Sequence, residues 1–230
     1  MLLTNYKEVE ERVRKAASRV NRDPSEVTLI AVSKTKPNEM IQTLYDNGVR
    51  EFGENYVQEL HTKMEELPED INWHMIGHLQ RNKVKYVVGK VSMIHSVDSI
   101  RLAKAISDEA VKKNVIVEIL LEVNVGLEEN KFGFKVEEVE DAVCEIATFP
   151  NIVIKGLMTS APYVMNSEEN RPIFKKLKEL LVDINGKNIH NVSMSVLSMG
   201  MTNDFEIAIE EGATHVRVGT AIFGERNYNR

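Results

Sequence analysis

Short apolar runs rich in β-branched residues alternate with longer amphipathic stretches along the chain, and this alternation repeats eight times. The runs fall at residues 28–33, 50–53, 72–76, 93–95, 115–123, 152–157, 192–197 and 214–218. Helical spacing follows at 39–45, 56–66, 83–88, 98–113, 136–149, 168–182 and 204–211, after an opening helix at 6–20 that ends before Asp23-Pro24. Asp98 or Ser99 suits the N-cap of the 98–113 helix. Strands alternating with helices argue for parallel pairing through right-handed crossovers. Eight such units fit a closed barrel better than an open sheet. The expected fold is therefore a single (β/α)8 TIM-type barrel with an additional N-terminal helix, and a doubly wound open sheet is the alternative. No Pro/Gly/Ser-rich linker or shift in composition divides the chain, so residues 1–230 are expected to form one domain.

With 230 residues, 43% of them hydrophobic, the chain can bury a substantial core. Its formal net charge of −6 supplies no overall positive field to hold a nucleic acid or an anionic membrane, and neither partner is expected. Cys144 is the only cysteine, which rules out an intrachain disulfide and points to a reducing compartment. It is not expected to act as a nucleophile. The N-terminus turns charged too early for a signal peptide, and no apolar stretch approaches the ~20 residues of a membrane span. A cytoplasmic protein is expected. Helix surfaces of mixed charge show no dimer stripe, so a monomer is expected.

Lys34 stands at the downstream end of the first strand, directly before Thr35-Lys36-Pro37, where a buried strand must stop. An amine beside walls that exclude water can lose its proton below the usual lysine pKa of about 10.4 and attack an aldehyde to form an imine. The bland alternative is a solvated lysine at a strand end. A barrel also places anion sites on the loops after its last two strands. There the chain carries Ser198-Met199-Gly200-Met201-Thr202 and Arg217-Val218-Gly219-Thr220. Small residues let the backbone close on a phosphate, and Ser198 and Thr220 offer hydroxyls. Closure puts strand eight beside strand one, so Lys34 and this cup become neighbours. A ligand with an aldehyde for the one and a phosphate for the other is pyridoxal 5′-phosphate. Arg217, which donates and cannot accept, is placed to meet the ring nitrogen, keep it unprotonated and weaken the ring as an electron sink. A salt-bridged arginine at a strand end is the competing reading.

Six stretches occur in the same order in one known family: Val32-Ser33-Lys34-Thr35-Lys36-Pro37, Phe52-Gly53-Glu54-Asn55-Tyr56-Val57-Gln58-Glu59, the run from Trp73 through Gly77-His78-Leu79-Gln80 to Lys83, Gly156-Leu157-Met158, Leu197-Ser198-Met199-Gly200-Met201-Thr202, and Arg217 to Gly224. Together they closely resemble the pyridoxal phosphate homeostasis protein family, itself similar to a stand-alone version of the barrel domain of alanine racemases. The resemblance implies Lys34 as the Schiff-base lysine, Arg217 near the ring nitrogen, and Ser198, Gly219 and Thr220 around the phosphate. It also implies that Asn55 faces the cofactor and that Met199, with Gly200, belongs to the cofactor-side loop. His78 falls where family members differ and receives no role.

His74, His78, His95 and Asp98 could suggest a metal centre, but none of these histidines shows i, i+4 pairing around a general-base carboxylate, and no metal is expected. The segment from Gly126 to Phe134 either lines the mouth or only connects. Trp73 and the methionines of the C-terminal part fill core. Racemisation needs a proton acceptor on each face of the cofactor, and Lys34 is the only evident base. The expected function is a carrier or regulator of pyridoxal phosphate in cofactor homeostasis, without established catalysis, handing cofactor to apo-enzymes that use it. A weak amino-acid racemase or lyase, and a cofactor-free Schiff-base aldolase, are the alternatives.

Overall fold

The computed structural model describes residues 1–126 and 131–225. Its strands are β1 (Thr28–Val32), β2 (Glu51–Glu54), β3 (Asn72–Met75), β4 (Met93–Val97), β5 (Val117–Glu122), β6 (Ile152–Met158), β7 (Val192–Ser198) and β8 (His215–Val218). They close in sequence order into a barrel, every neighbouring pair parallel. The seam is made by β1 and β8, with Thr28 opposite His215 and Ala31 opposite Val218. The eight-stranded barrel is thus borne out over the open sheet.

The α-helices are α1 (Leu2–Arg19), α2 (Asn38–Asp46), α3 (Val57–Glu66), α4 (Ile100–Lys113), α5 (Val139–Ile146), α6 (Arg171–Asn185), α7 (Phe205–Glu210) and α8 (Thr220–Phe223). Ser99 caps α4, its hydroxyl accepting from the Leu102 N–H at 3.3 Å. The main core fills the layer between strands and helices, where Phe52, Phe174, Phe205, Ile41, Leu44 and Leu60 are fully buried. Each contributes about 1.5–3 kcal/mol by leaving water. Inside the barrel, Met93, Leu120, Met158 and Val196 form a separate, smaller apolar cluster.

Several boundaries differ from the sequence expectation for identifiable reasons. Asn114 takes the left-handed conformation (φ 54°) and closes α4, so β5 starts at Val117 and leaves Ile116 exposed. The expected helix at 83–88 is a 3-10 stretch, Arg81–Tyr86, tied to α4 by Lys113 Nζ donating to the carbonyls of Lys85 and Val88. Among the described residues, β8 is followed by a single helical turn, α8. The N-terminal helix packs against α2, α7 and α8 and covers that side of the barrel with Val9, Val13, Ala16 and Ala17. Arg22 fastens the chain after it, donating to the carbonyls of Ile209 and Ala213 at 2.8 and 2.9 Å.

Candidate functional site

At the C-terminal ends of the strands a cleft of about 500 Å³ opens, lined by Val32, Lys34, Asn55, Ile76, Arg217, Gly219 and Thr220 together with residues of the loops after β6 and β7. Lys34 and the Gly219-Thr220 turn therefore share one cavity. The β1–β8 register produces this: a Cβ on Gly219 would lie 3.3 Å from the Val32 carbonyl oxygen, so the backbone leaving β8 hugs the strand end that carries Lys34. Lys36 holds the C-terminal end of α8, its ammonium donating to the carbonyls of Phe223, Gly224 and Glu225 at 2.9–3.2 Å.

Asn55 follows β2 directly. A Cβ on Gly77 would sit 2.5 Å from the Asn55 carbonyl oxygen and 2.6 Å from its Cα, so only glycine lets the chain leaving β3 press against Asn55. The Asn55 Oδ1 atom is buried and has no hydrogen-bond partner among the described residues. A buried acceptor without a donor costs about 1–3 kcal/mol, a penalty relieved by a ligand that donates to it.

Arg217 is 4% exposed. Burial lowers its pKa to about 10, against the pull of Glu122 and Asp204, so it remains a cation near neutral pH. Its Nη2 donates to the Thr159 carbonyl at 2.8 Å and its Nη1 to Ser198 Oγ at 2.6 Å. A chain of hydrogen bonds continues through the barrel: Ser198 Oγ to His95 Nδ1 at 2.9 Å, His95 Nε2 to His74 Nδ1 at 2.9 Å, and His74 Nε2 to Glu51 at 2.7 Å. With one hydrogen on each imidazole, the acceptor-only Glu51 carboxylate at the far end sets the direction of the links, and the guanidinium at the near end only donates. Ser198 accepts from Arg217 and donates to His95; His95 carries its hydrogen on Nε2 and donates to His74; His74 donates to the Glu51 carboxylate. Burial, then the neighbouring His74, His215 and Arg217, push His95 well below its ordinary pKa and keep it neutral. Burial alone would raise Glu51, but hydrogen bonds from His74 and Asn72 bring it below its usual value, leaving the ionised acceptor the chain requires.

Of the residues named from sequence, Lys34, Asn55, Arg217, Gly219 and Thr220 line the cleft. Ser198 lies fully buried beneath Arg217, and Met199 is fully buried in the core outside the barrel. Gly200 (φ 91°) brings the loop after β7 onto α7, where a Cβ would meet Ala208 at 2.5 Å; the next residues, Met201, Thr202 and Asn203, face the cleft. Asp204 pins that turn, accepting from the Met201 N–H and the Asn170 amide, both at 2.7 Å. The loop after β6 supplies Ser160, Pro162, Tyr163 and Val164, which sequence reasoning missed because it carries no charged or glycine-rich signal. Of the segment from Gly126 to Phe134, residues 127–130 lie outside the described residues. His78 pairs with Asp98 at 3.0 Å and stacks on Phe132, away from His74 and His95. No cluster of three metal-ligating side chains is arranged to hold an ion among the described residues. Nor is any described helix long and apolar enough to cross a membrane.

The cleft thus joins an amine, a donor-only cation and a glycine-threonine turn whose first N–H groups lack intrahelical partners. An anionic ligand with a reactive carbonyl and a hydrogen-bond donor fits that set. The family model "Alanine racemase, N-terminal domain" matches residues 4–227. A pyridoxal phosphate homeostasis protein of Aquifex aeolicus is 47% identical, with 95% of each chain covered. The solved structure of PipY from Synechococcus elongatus PCC7942, with PLP bound, is 34% identical at a TM-score of 0.80, covering 94% of this chain and 100% of that one. An alanine racemase of Clostridium difficile 630, at 13% identity and a TM-score of 0.76, shares the fold over 99% of this chain and 57% of its own. The chain belongs to the alanine racemase N-terminal domain family and, within it, to the pyridoxal phosphate homeostasis proteins.

Proposed function

We propose that this protein binds pyridoxal 5′-phosphate in the mouth cleft and serves cofactor homeostasis as a carrier or regulator. The observation that carries the reading is the placement of Lys34, Arg217, Gly219 and Thr220 around one cavity. When bound, the cofactor supplies an aldehyde and an electron-withdrawing ring. Lys34 provides the amine that holds it covalently. Gly219 and Thr220, with the loop from Met201 to Asn203, form the phosphate side; Gly200 shapes that loop, Met199 anchors it in the core, and Ser198 acts from beneath by orienting Arg217. Arg217 meets the ring nitrogen as a donor. The unpartnered Asn55 oxygen takes a donor of the ligand.

A guanidinium that stays protonated near neutral pH holds the ring nitrogen without giving it a proton, which disfavours the build-up of negative charge that amino-acid chemistry needs. We therefore read the protein as non-enzymatic, cytoplasmic and monomeric, with apo-enzymes that use this cofactor as its partners. Titrating the protein with pyridoxal phosphate should produce visible absorbance that is absent in Lys34→Ala, and the loaded protein should activate an apo-enzyme faster than an equal amount of free cofactor. Transfer no faster than the free-cofactor control would refute delivery. Lys34-dependent exchange of α-hydrogen in heavy water would favour the racemase or lyase reading instead.

A further inference from the structure

Behind the cleft wall, three charged side chains outside the cleft lining converge on the two residues that flank Lys34. Lys63 of α3 is 4% exposed and Glu54, at the end of β2, is fully buried. The three ammonium hydrogens of Lys63 are used on Glu54 Oε1 at 2.7 Å, Glu59 Oε1 at 2.7 Å and the Ser33 carbonyl at 2.8 Å. The same Glu54 oxygen accepts the Ser33 hydroxyl at 2.6 Å, and the same Glu59 oxygen accepts the Thr35 N–H at 2.6 Å. Thr35 has φ 61°, a left-handed conformation rare for a β-branched residue. A closed bracket therefore runs from Ser33 through Lys63 and Glu59 to Thr35, with Lys34 at its centre.

A fold gains little from such a cluster, since buried ion pairs are often replaceable by apolar side chains. This one is also incompletely satisfied: Glu54 Oε2 is buried without a partner, and burial raises the Glu54 pKa to about 6 despite Lys63. Its bonds fall on the residue before Lys34 and the residue after it, where the chain bends out of β1 into the cleft. Resting on the cofactor reading above, we propose that Lys63, Glu54 and Glu59 are positioning residues that aim the Lys34 amine at the cofactor aldehyde. In the step they serve, Lys34 Nζ forms a C=N bond with the aldehyde carbon, and the carbonyl oxygen leaves as water with the two amine hydrogens. Misplacing an attacking atom by about 1 Å can cost on the order of a hundredfold.

Glu59, partly exposed, is the variant to make, because its loss leaves the buried Lys63–Glu54 pair intact. Glu59→Ala, Glu59→Gln and the parent protein are titrated with pyridoxal phosphate and with its alcohol analogue, which has the phosphate and ring but no aldehyde. Melting temperatures without ligand are read alongside. Glu59→Ala should slow and weaken covalent attachment about tenfold or more, with affinity for the alcohol analogue within about twofold of the parent. Glu59→Gln, which keeps an acceptor oxygen for the Thr35 N–H, should recover most of the loss. Equal losses for both ligands, no loss for either, or a Glu59→Gln as impaired as Glu59→Ala would overturn the proposal. Failure of the parent protein to bind either ligand would instead overturn the cofactor reading.

Discussion

Glu122, the last residue of β5, illustrates how the barrel mouth alters single groups. Burial, with a contribution from Asp98, raises its pKa to about 7, against the opposing pull of Arg217 and Lys131. In the unfolded chain it returns to its ordinary value near 4.5, so between these two values the folded state binds more protons and stability falls as pH rises. Replacing Glu122 with Gln removes that slope. Denaturant unfolding from pH 4.5 to 8 should show the variant gaining about 3 kcal/mol on the parent across the range; a constant difference would mean the carboxyl is not displaced. Lys34 and Arg217 were legible in the sequence because a charged residue at the end of an apolar run has little choice but the barrel mouth. Ser198 and Met199 were harder to place, since alternation sends adjacent strand residues to opposite faces and a shift of one position reverses them. Ser198 points into the barrel and Met199 out of it.

At the level of elements, the directed chain Arg217–Ser198–His95–His74–Glu51 ties β8, β7, β4, β3 and β2 together across the barrel interior. Ser198→Ala removes the one group that accepts from the cation and donates to the imidazole. It should cost about 1–3 kcal/mol of stability and loosen Arg217. In the parent, ¹⁵N NMR should find His95 neutral and protonated on Nε2 from pH 5 to 8; a hydrogen on Nδ1 would reverse the deduced direction. Histidine spacing alone could not reveal this chain, because strand stagger decides which residues of non-adjacent strands meet in the interior. The strand order was readable from periodicity. The 3-10 stretch, the single-turn α8 and the lining contributed by residues 160–164 were not, since each depends on tertiary contacts rather than on a local pattern.

For the whole molecule, closure of β8 on β1 is the decisive event, because it brings together groups separated by nearly the full length of the chain. The same strand order left unclosed would put Lys34 and Gly219-Thr220 on opposite edges of the sheet. In the proposed reading, the bracket around Lys34, the cation fixed from below and the glycine turn from β8 act on one ligand. Borohydride reduction of the protein loaded with pyridoxal phosphate, followed by peptide mapping, reads that convergence directly. A single cofactor adduct on Lys34, diminished when inorganic phosphate competes for the cup, is expected. An adduct spread over surface lysines, or one on Lys34 that is indifferent to phosphate, would show that the amine and the anion site do not serve the same ligand.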